Sequence, residues 1–534
     1  MKKLVKTAFA LMLAFVLVFP FAACRSDGND NPIDPTDPDT LNVRIPDLGY
    51  GTDWLKALGD AFTAKYGNKV NVSITITDTG YSNEIRSGVS NYDLYLGRAD
   101  ANAYVANAVD VGSTTYDSIL ADLTDMYYTD VDGESTLFVD KMLPSYERYN
   151  RIERDDETKY YSVQWCDSIF GIVRNLDAWD SAWKVPNTTD ELIALCRQIK
   201  TAGSVPFIWC SQDSYWWSYY PVWLYQYQGY NDMLRFWNAQ DEDGNGPTPD
   251  MWKRRGWVEA LKVVQELLDD DNGFMHVYSK TVDFTTAQGY FLSSASTASA
   301  SKIAMMINGD WLYKEMEKNY NDARIEMIKN PVISAIINVL PDRSVADDAE
   351  LSALITAIDN GSTALSGTGY TVTQRDFTRV AEARKMYPNS NVSHQFVIPV
   401  YSKSVGLAKK FLLFCASDEG LEIHTRNIGG MTLPFVLSER VLNASDETAN
   451  SFVKSTQTVK NNATMTPHIM YTNRLFSIAN MQRLPCEGLS STLPELILSS
   501  KGQSTYLTAE EMCNRNYLNV SNKWNAFMTA AGLS

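Results

Sequence analysis

The chain has 534 residues, 45% hydrophobic and 21% charged, the composition of a globular protein too long for one compact core. A net charge of −17 repels phosphate backbones and argues against nucleic acid as a partner. The seven cysteines form no CxxC pair and have no short regular spacing. Disulfides are therefore permitted outside the cytoplasm but not implied.

Lys2, Lys3 and Lys6 precede an apolar run from Ala8 to Ala23, and Cys24 follows. This is the pattern of a secretory signal, so residues 1–23 are expected to be removed. The junction Phe21-Ala22-Ala23-Cys24 resembles a bacterial lipobox, with Phe21 where Leu is usual. It makes Cys24 the expected lipidation site. A diacylglycerol thioether and an acylated amine would together give the two signals that stable attachment needs. The alternative is an ordinary signal cut near the same place. Residues 24–40 hold the five Asp and three Pro of RSDGNDNPIDPTDPDT and predict a disordered tether.

Order is expected from Leu41. LNVRIP alternates as a strand, and a turn follows through Asp47 and Tyr50. Asp53 is the expected cap of a helix carrying Trp54, Leu58 and Phe62, ended by Gly67. Val70–Thr77 and Tyr92–Gly97 are further strands, giving an α/β parallel-sheet pattern. Ligands in such sheets bind beyond the carboxyl ends of strands, which places Asp47, Tyr50, Arg98 and Asp100 near a site. Lys159–Asn175 predicts a long extended segment, and Thr188 to Glu191 has capping-box spacing.

Val205–Trp209 is an expected strand that delivers an aromatic block. Nine of the sixteen residues from Tyr215 to Tyr230 are Tyr or Trp, with Gln212, Asp213 and Ser214 at the front. Flat sugar faces need aromatic rings, and sugar hydroxyls need directional partners. Gln212, Asp213, Tyr215 and Trp216 are therefore candidate ligand contacts, while Tyr219 onward is expected to be a helix packed behind them. The loop with Asp241, Asp243 and Asn245 starts like a calcium loop but has Trp252 where the bidentate Glu belongs. A plain surface loop is expected. SKIAMMINGDW (Ser301–Trp311) predicts a buried strand whose end projects Asp310 and Trp311. Residues 341–366 are polar and Ala/Ser-rich, as in an insertion, His394–Val400 is extended, and the remainder is mainly helical.

The four histidines are scattered, and no HExxH, phosphate loop or GxSxG elbow is present. No cofactor, resident metal or catalytic group is expected. Acid pairs for glycoside hydrolysis exist, but none is marked by its context.

Several segments together resemble the extracellular solute-binding proteins of carbohydrate ABC transporters, the family that includes maltose-binding protein. They are the opening LNVRIPDLGYGTDWLKALGDAFTAKYGNKVNVSI, YDLYLG, KYYSVQW with GIVRNLDAW and KVPNTTDELIAL, INGDW, and AKKFLLFCASDEGLEIH. The resemblance runs in order over roughly residues 41–440. It implies a two-lobed α/β clam of the periplasmic-binding-protein type, with hinge crossings near Tyr161–Phe170 and Ile398–Ser402. Lobe 1 would be 41–163 with 400–440, and lobe 2 would be 164–399 with 441–534. It further implies that Trp311 stacks on sugar with Asp310 beside it, that Gln212 to Tyr215 touch the ligand, and that Asp100 lies near a hydroxyl-binding acid. Trp165 and Asp167, at the crossing, join that set. Gly97 departs from the family's stacking aromatic, and Thr158-Lys159 replaces a usual Gly.

The expected function is a monomeric, lipid-anchored receptor on the outer face of the cell membrane. It would pass a carbohydrate, expected to be an oligosaccharide, to an ABC permease. Two alternatives are a secreted glycoside hydrolase and a largely helical glycan-capture lipoprotein of the outer membrane.

Overall fold

The computed structural model describes residues 39–533, except 99–100, 106, 155–156, 167, 211–215, 217–218, 295–301, 321, 364–371, 390–393, 432, 461–463, 468–472, 478, 480 and 482–505. The signal, Cys24 and most of the tether lie outside the described residues, as do Asp100, Asp167, Gln212, Asp213 and Tyr215. No helix among the described residues is long and apolar enough to cross a membrane.

Two sheets organise the chain. The first begins with β1 (Thr40–Pro46), α1 (Asp53–Tyr66), β2 (Lys69–Thr75) and β3 (Leu94–Arg98). Leu41, Val43 and Ile45 of β1 are buried, and so are Thr40, Asn42 and Pro46. The alternation in LNVRIP suggests a half-exposed strand. However, β1 pairs in parallel with both β2 and β3, and a central parallel strand is covered on both faces. α1 is preceded by Thr52 rather than capped by Asp53, and Thr52 makes no side-chain cap. Gly67 closes the helix in the left-handed region at φ 78°, donating to the Thr63 carbonyl as expected.

β4 (Val163–Gln164) completes the first sheet, and β5 (Phe170–Asn175) opens the second. After β5 come α2 (Thr189–Thr201), β6 (Val205–Ile208), α3 (Pro221–Gln228), α4 (Arg255–Leu268), β7 (Ile303–Gly309), α5 (Leu312–Tyr320) and β8 (Ile325–Ile328). Thr188 caps α2 by accepting from Glu191 N–H, and Glu191 reaches back to Asn187 N–H at 2.7 Å. β9 (His394–Val397) then returns to the first sheet, followed by α6 (Asp418–Ile428) and, near the end, α7 (Ala509–Ala530). The sheet orders are β2-β1-β3-β9-β4 and β6-β7-β5-β8.

The registers show how the sheets face each other. β4 ends level with Gln395, where β9 enters beside the carboxyl end of β3. β5 begins opposite Gly309, the carboxyl end of β7. The segment 165–169 therefore runs from the carboxyl edge of one sheet to the carboxyl edge of the other. The return comes before His394, earlier than the Ile398–Ser402 expected, because β9 already pairs with β3. Since β9 enters from that edge it runs antiparallel, and both sheets are mixed rather than purely parallel.

The aromatic block is largely core. Every residue of α3 from Pro221 to Tyr227 is buried. Trp237 Nε1 donates to the Tyr225 hydroxyl, and Trp223 Nε1 to the Pro331 carbonyl, so these polar tips are satisfied inside, whereas those of Trp216 and Tyr219 are buried without a protein partner. Residues 341–366 are more than an insertion. They hold a helix, Asp348–Asp359, whose Leu351, Leu354 and Ile355 are fully buried. The Asp241 loop closes on itself, with Asp241 accepting from Asn245 N–H at 2.8 Å.

Arg254 is the largest buried charge. Its guanidinium donates to Asp232 at 2.7 and 3.1 Å and to the carbonyls of Gln240, Met251 and Asp241. Arg254→Leu takes the guanidinium from Asp232, which keeps Gln228 Nε2, and removes this donor from the Gln240 and Met251 carbonyls, while the Asp241 carbonyl keeps Gly244 N–H. It is expected to lower unfolding free energy by about 3–5 kcal/mol, read by urea denaturation of the purified protein.

Candidate functional site

The turn after β1 is built by short backbone hydrogen bonds. Gly51 N–H donates to the Leu48 carbonyl at 2.7 Å, and Trp54 Nε1 donates to the Gly51 carbonyl at 3.0 Å. This presents Tyr50 beyond the carboxyl end of β1. The turn after β7 presents Asp310 and Trp311, fixed by Asp310 N–H donating to the Ile169 carbonyl. The two turns meet. The Tyr50 hydroxyl donates to Asp310 Oδ1 at 2.7 Å, and the Tyr50 and Trp311 rings lie edge to face at 5.8 Å.

Trp311 is wedged between backbones. A methyl group at Gly309 would collide with its six-membered ring, and one at Gly49 would lie 2.6 Å from its Cδ1. Phe170 at the start of β5 meets the same indole edge to face at 4.9 Å. The two glycines thus let a large ring sit flush between the sheets.

Beside these groups lies a mostly apolar cavity of about 50 Å³, space for a few waters. Both sheets contribute to it: Tyr50, Trp54 and Leu96 from one side, Asp310 from the other, and Trp165 from the crossing. α6 adds His424 and Ile428, and Met431 and Leu433 follow it. Trp165 stacks on Trp54 at 6.0 Å and 20°, and meets Phe396 and Phe435 edge to face. His424 stands edge-on to Trp54 at 5.0 Å.

Burial sets the protonation states. Burial, reinforced by the Asp310 carboxylate, raises the Tyr50 phenol well above its ordinary value, so Tyr50 remains a donor. Burial also pushes the His424 imidazole down to about 3, so it is neutral in the folded protein.

Of the candidates from sequence, Tyr50, Trp165, Asp310 and Trp311 are brought together. Asp47 belongs to the same turn but is exposed and does not line the cavity. Trp216 has no exposed surface. It packs on Phe207, Tyr219 and Trp223, because Tyr220 N–H donates to the Trp216 carbonyl and coils the chain back onto β6. Trp216 therefore presents no ring face to a ligand in this arrangement. Sequence reasoning missed Trp54 and His424 as cavity residues. Leu421, His424, Thr425 and Ile428 repeat at helical spacing on the buried side of α6. That pattern signals burial and does not distinguish a core from a cavity wall.

Two outcomes follow. Gly309→Ala displaces Trp311 and is expected to cost about 1–3 kcal/mol, with a changed tryptophan emission spectrum alongside a lower melting temperature. For His424, the unfolded chain takes up a proton below about pH 6.5 while the folded chain does not until about 3. Its effect is absent above pH 6.5, and stability falls as the pH drops from there towards 3, by up to about 1.4 kcal/mol per unit. His424→Gln should flatten the drop in unfolding free energy between pH 7.5 and pH 5.

Similarity to known proteins is consistent with this geometry. The family model described as bacterial extracellular solute-binding protein matches residues 57–440. A search of curated proteins gave no match. Among solved structures, the GacH receptor of Streptomyces glaucescens, studied unliganded and with acarbose, is similar at a TM-score of 0.54 and 16% identity, over 92% of this chain and 98% of that one. A structure from work on xylan utilisation by Caldanaerobius polysaccharolyticus is similar at 0.54 and 14%, over 90% and 100%. At such identities the likeness establishes the fold, a two-lobed α/β clam. The chain is a member of the bacterial extracellular solute-binding protein family.

Proposed function

We propose that this protein captures a carbohydrate between its two lobes and presents it to an ABC permease. The observation that carries this reading is the meeting of Tyr50, Asp310 and Trp311. A carboxylate that accepts from hydroxyls, next to indole and phenol rings, is the chemistry a sugar requires. The structural neighbours support it, since GacH was studied in complex with acarbose and the other in work on xylan utilisation.

In this reading residues 41–163 and 394–440 form one lobe. Residues 164–389 form the other, joined by the C-terminal segment through pairing of Thr464–Pro467 with Met386–Asn389. The lobes part and close about 165–169 and the return before His394. A ligand that touches both stabilises the closed arrangement, because it binds that state more tightly than the open one. Asp213, Gln212, Tyr215, Asp167 and Asp100 remain proposed contacts on the flanking segments. Lipidation of Cys24 holds the receptor at the membrane, on the tether of residues 25–40.

A thermal-shift screen over mono- and oligosaccharides tests the binding claim. At least one sugar is expected to raise the melting temperature without being cleaved. Trp311→Ala should abolish the shift, as loss of a central aromatic anchor costs about 2 kcal/mol or more. An unchanged shift in that variant would remove Trp311 from the site, and turnover of the sugar would favour a hydrolase. Cys24→Ser should move the full-length protein expressed in a bacterial host from the membrane fraction to the soluble one. Continued membrane retention would contradict the anchor.

A further inference from the structure

The groups proposed for the ligand satisfy one another. The Tyr50 hydroxyl donates to Asp310 Oδ1 at 2.7 Å, and its ring meets Trp311 at 5.8 Å and 75°. Asp310 is 3% exposed and Trp311 7%. Gly49, Gly309 and Phe170 close on the indole. The cavity alongside is about 50 Å³, against roughly 300 Å³ or more for a small-ligand pocket. No sugar ring fits among these groups as they stand.

The three groups are not held alike. Asp310 N–H donates to the Ile169 carbonyl, and the Trp311 carbonyl accepts from Glu315 N–H at 2.9 Å, so both are fixed between β7 and α5. Tyr50 projects from the turn 47–51 between two glycines, Gly49 and Gly51, the second at φ 69°. Glycine on each side leaves the backbone at Tyr50 with few steric restrictions, and Asp47 of the same turn is exposed. Tyr50 is thus the member that can leave. A hydrogen bond to a charged group is among the stronger ones. A ligand hydroxyl that takes Asp310 has to replace it. Apparent affinity then falls with the fraction of molecules in which the site is clear.

We propose that Tyr50 is an internal occupant of the ligand site, which holds Asp310 and Trp311 and which a sugar displaces in order to bind. Tyr50 thereby sets a specificity threshold. A ligand that offers Asp310 a hydroxyl and Trp311 a ring face together recovers what displacement costs, and a ligand that offers one of them does not. Sugar as the ligand rests on the carbohydrate reading, whereas the hold of Tyr50 on Asp310 does not.

The test compares the full chain without its signal with Tyr50→Phe, which keeps the ring and removes the donor. Calorimetric titration uses the sugar that gives the largest thermal shift. Tyr50→Phe is expected to bind it about fivefold or more tightly. An ordinary ligand contact at Tyr50 gives the opposite sign, so weaker or unchanged binding would overturn the proposal. A second readout needs no sugar. Cys166 is half-buried and lines the same cavity as Tyr50. Its alkylation by iodoacetamide, followed by peptide mass spectrometry, is expected to run about fivefold or more faster in Tyr50→Phe, because the site is clear more often. An unchanged rate would also overturn the proposal. Tyr50→Ala removes the ring as well and should move both readouts in the same directions, which keeps the test open if Tyr50→Phe folds poorly. Faster alkylation of Cys166 with no sugar bound by any form would remove the carbohydrate reading and keep Tyr50 as the occupant.

Discussion

A hydrogen bond between residues 260 positions apart, Tyr50 to Asp310, ties the two sheets of this molecule together. It joins the first β–α turn of one sheet to the turn after the central strand of the other. The rest of the architecture serves that meeting. Parallel pairing of β1 with β2 and β3 points the first turn at the crossing. The register of β5 against β7 aims the second turn back at it. Gly49 and Gly309 remove the side chains that would hold Trp311 away. The bond therefore spans the two sheets directly.

The site combines two environments. At the mouth, a phenol, a carboxylate and an indole offer directional chemistry. Deeper in, two tryptophans, a neutral histidine and aliphatic side chains offer burial with very few polar contacts. Apolar walls with a few placed polar groups are how small-ligand pockets obtain affinity and orientation together. Here the neutral state of His424 is itself a product of burial, so the same packing that shapes the wall fixes its hydrogen-bonding character.

Much of this was legible in the chain. Strand alternation located β1, β2 and β3, and the Asn308-Gly309 turn marked Asp310-Trp311 as residues beyond a strand end. Tyr50 lies past the carboxyl end of β1, where the sequence placed it. Trp216 is buried on Phe207, Tyr219 and Trp223, which its sequence context did not reveal because composition cannot tell an aromatic wall from an aromatic core. Trp54 and His424 were illegible for the converse reason, since residues on the buried face of a helix give the same periodicity whether they meet packed atoms or a cavity. The antiparallel entry of β9 was also hidden. Direction depends on where the crossing segments arrive, which no local pattern records.

The central claim is that a ligand is held between the two lobes. Small-angle X-ray scattering of the purified protein tests it most directly, with and without the sugar that gives the largest thermal shift. Capture between the lobes predicts a smaller radius of gyration at saturating sugar, as the lobes close about residues 165–169. Saturated binding with an unchanged radius would contradict capture between the lobes.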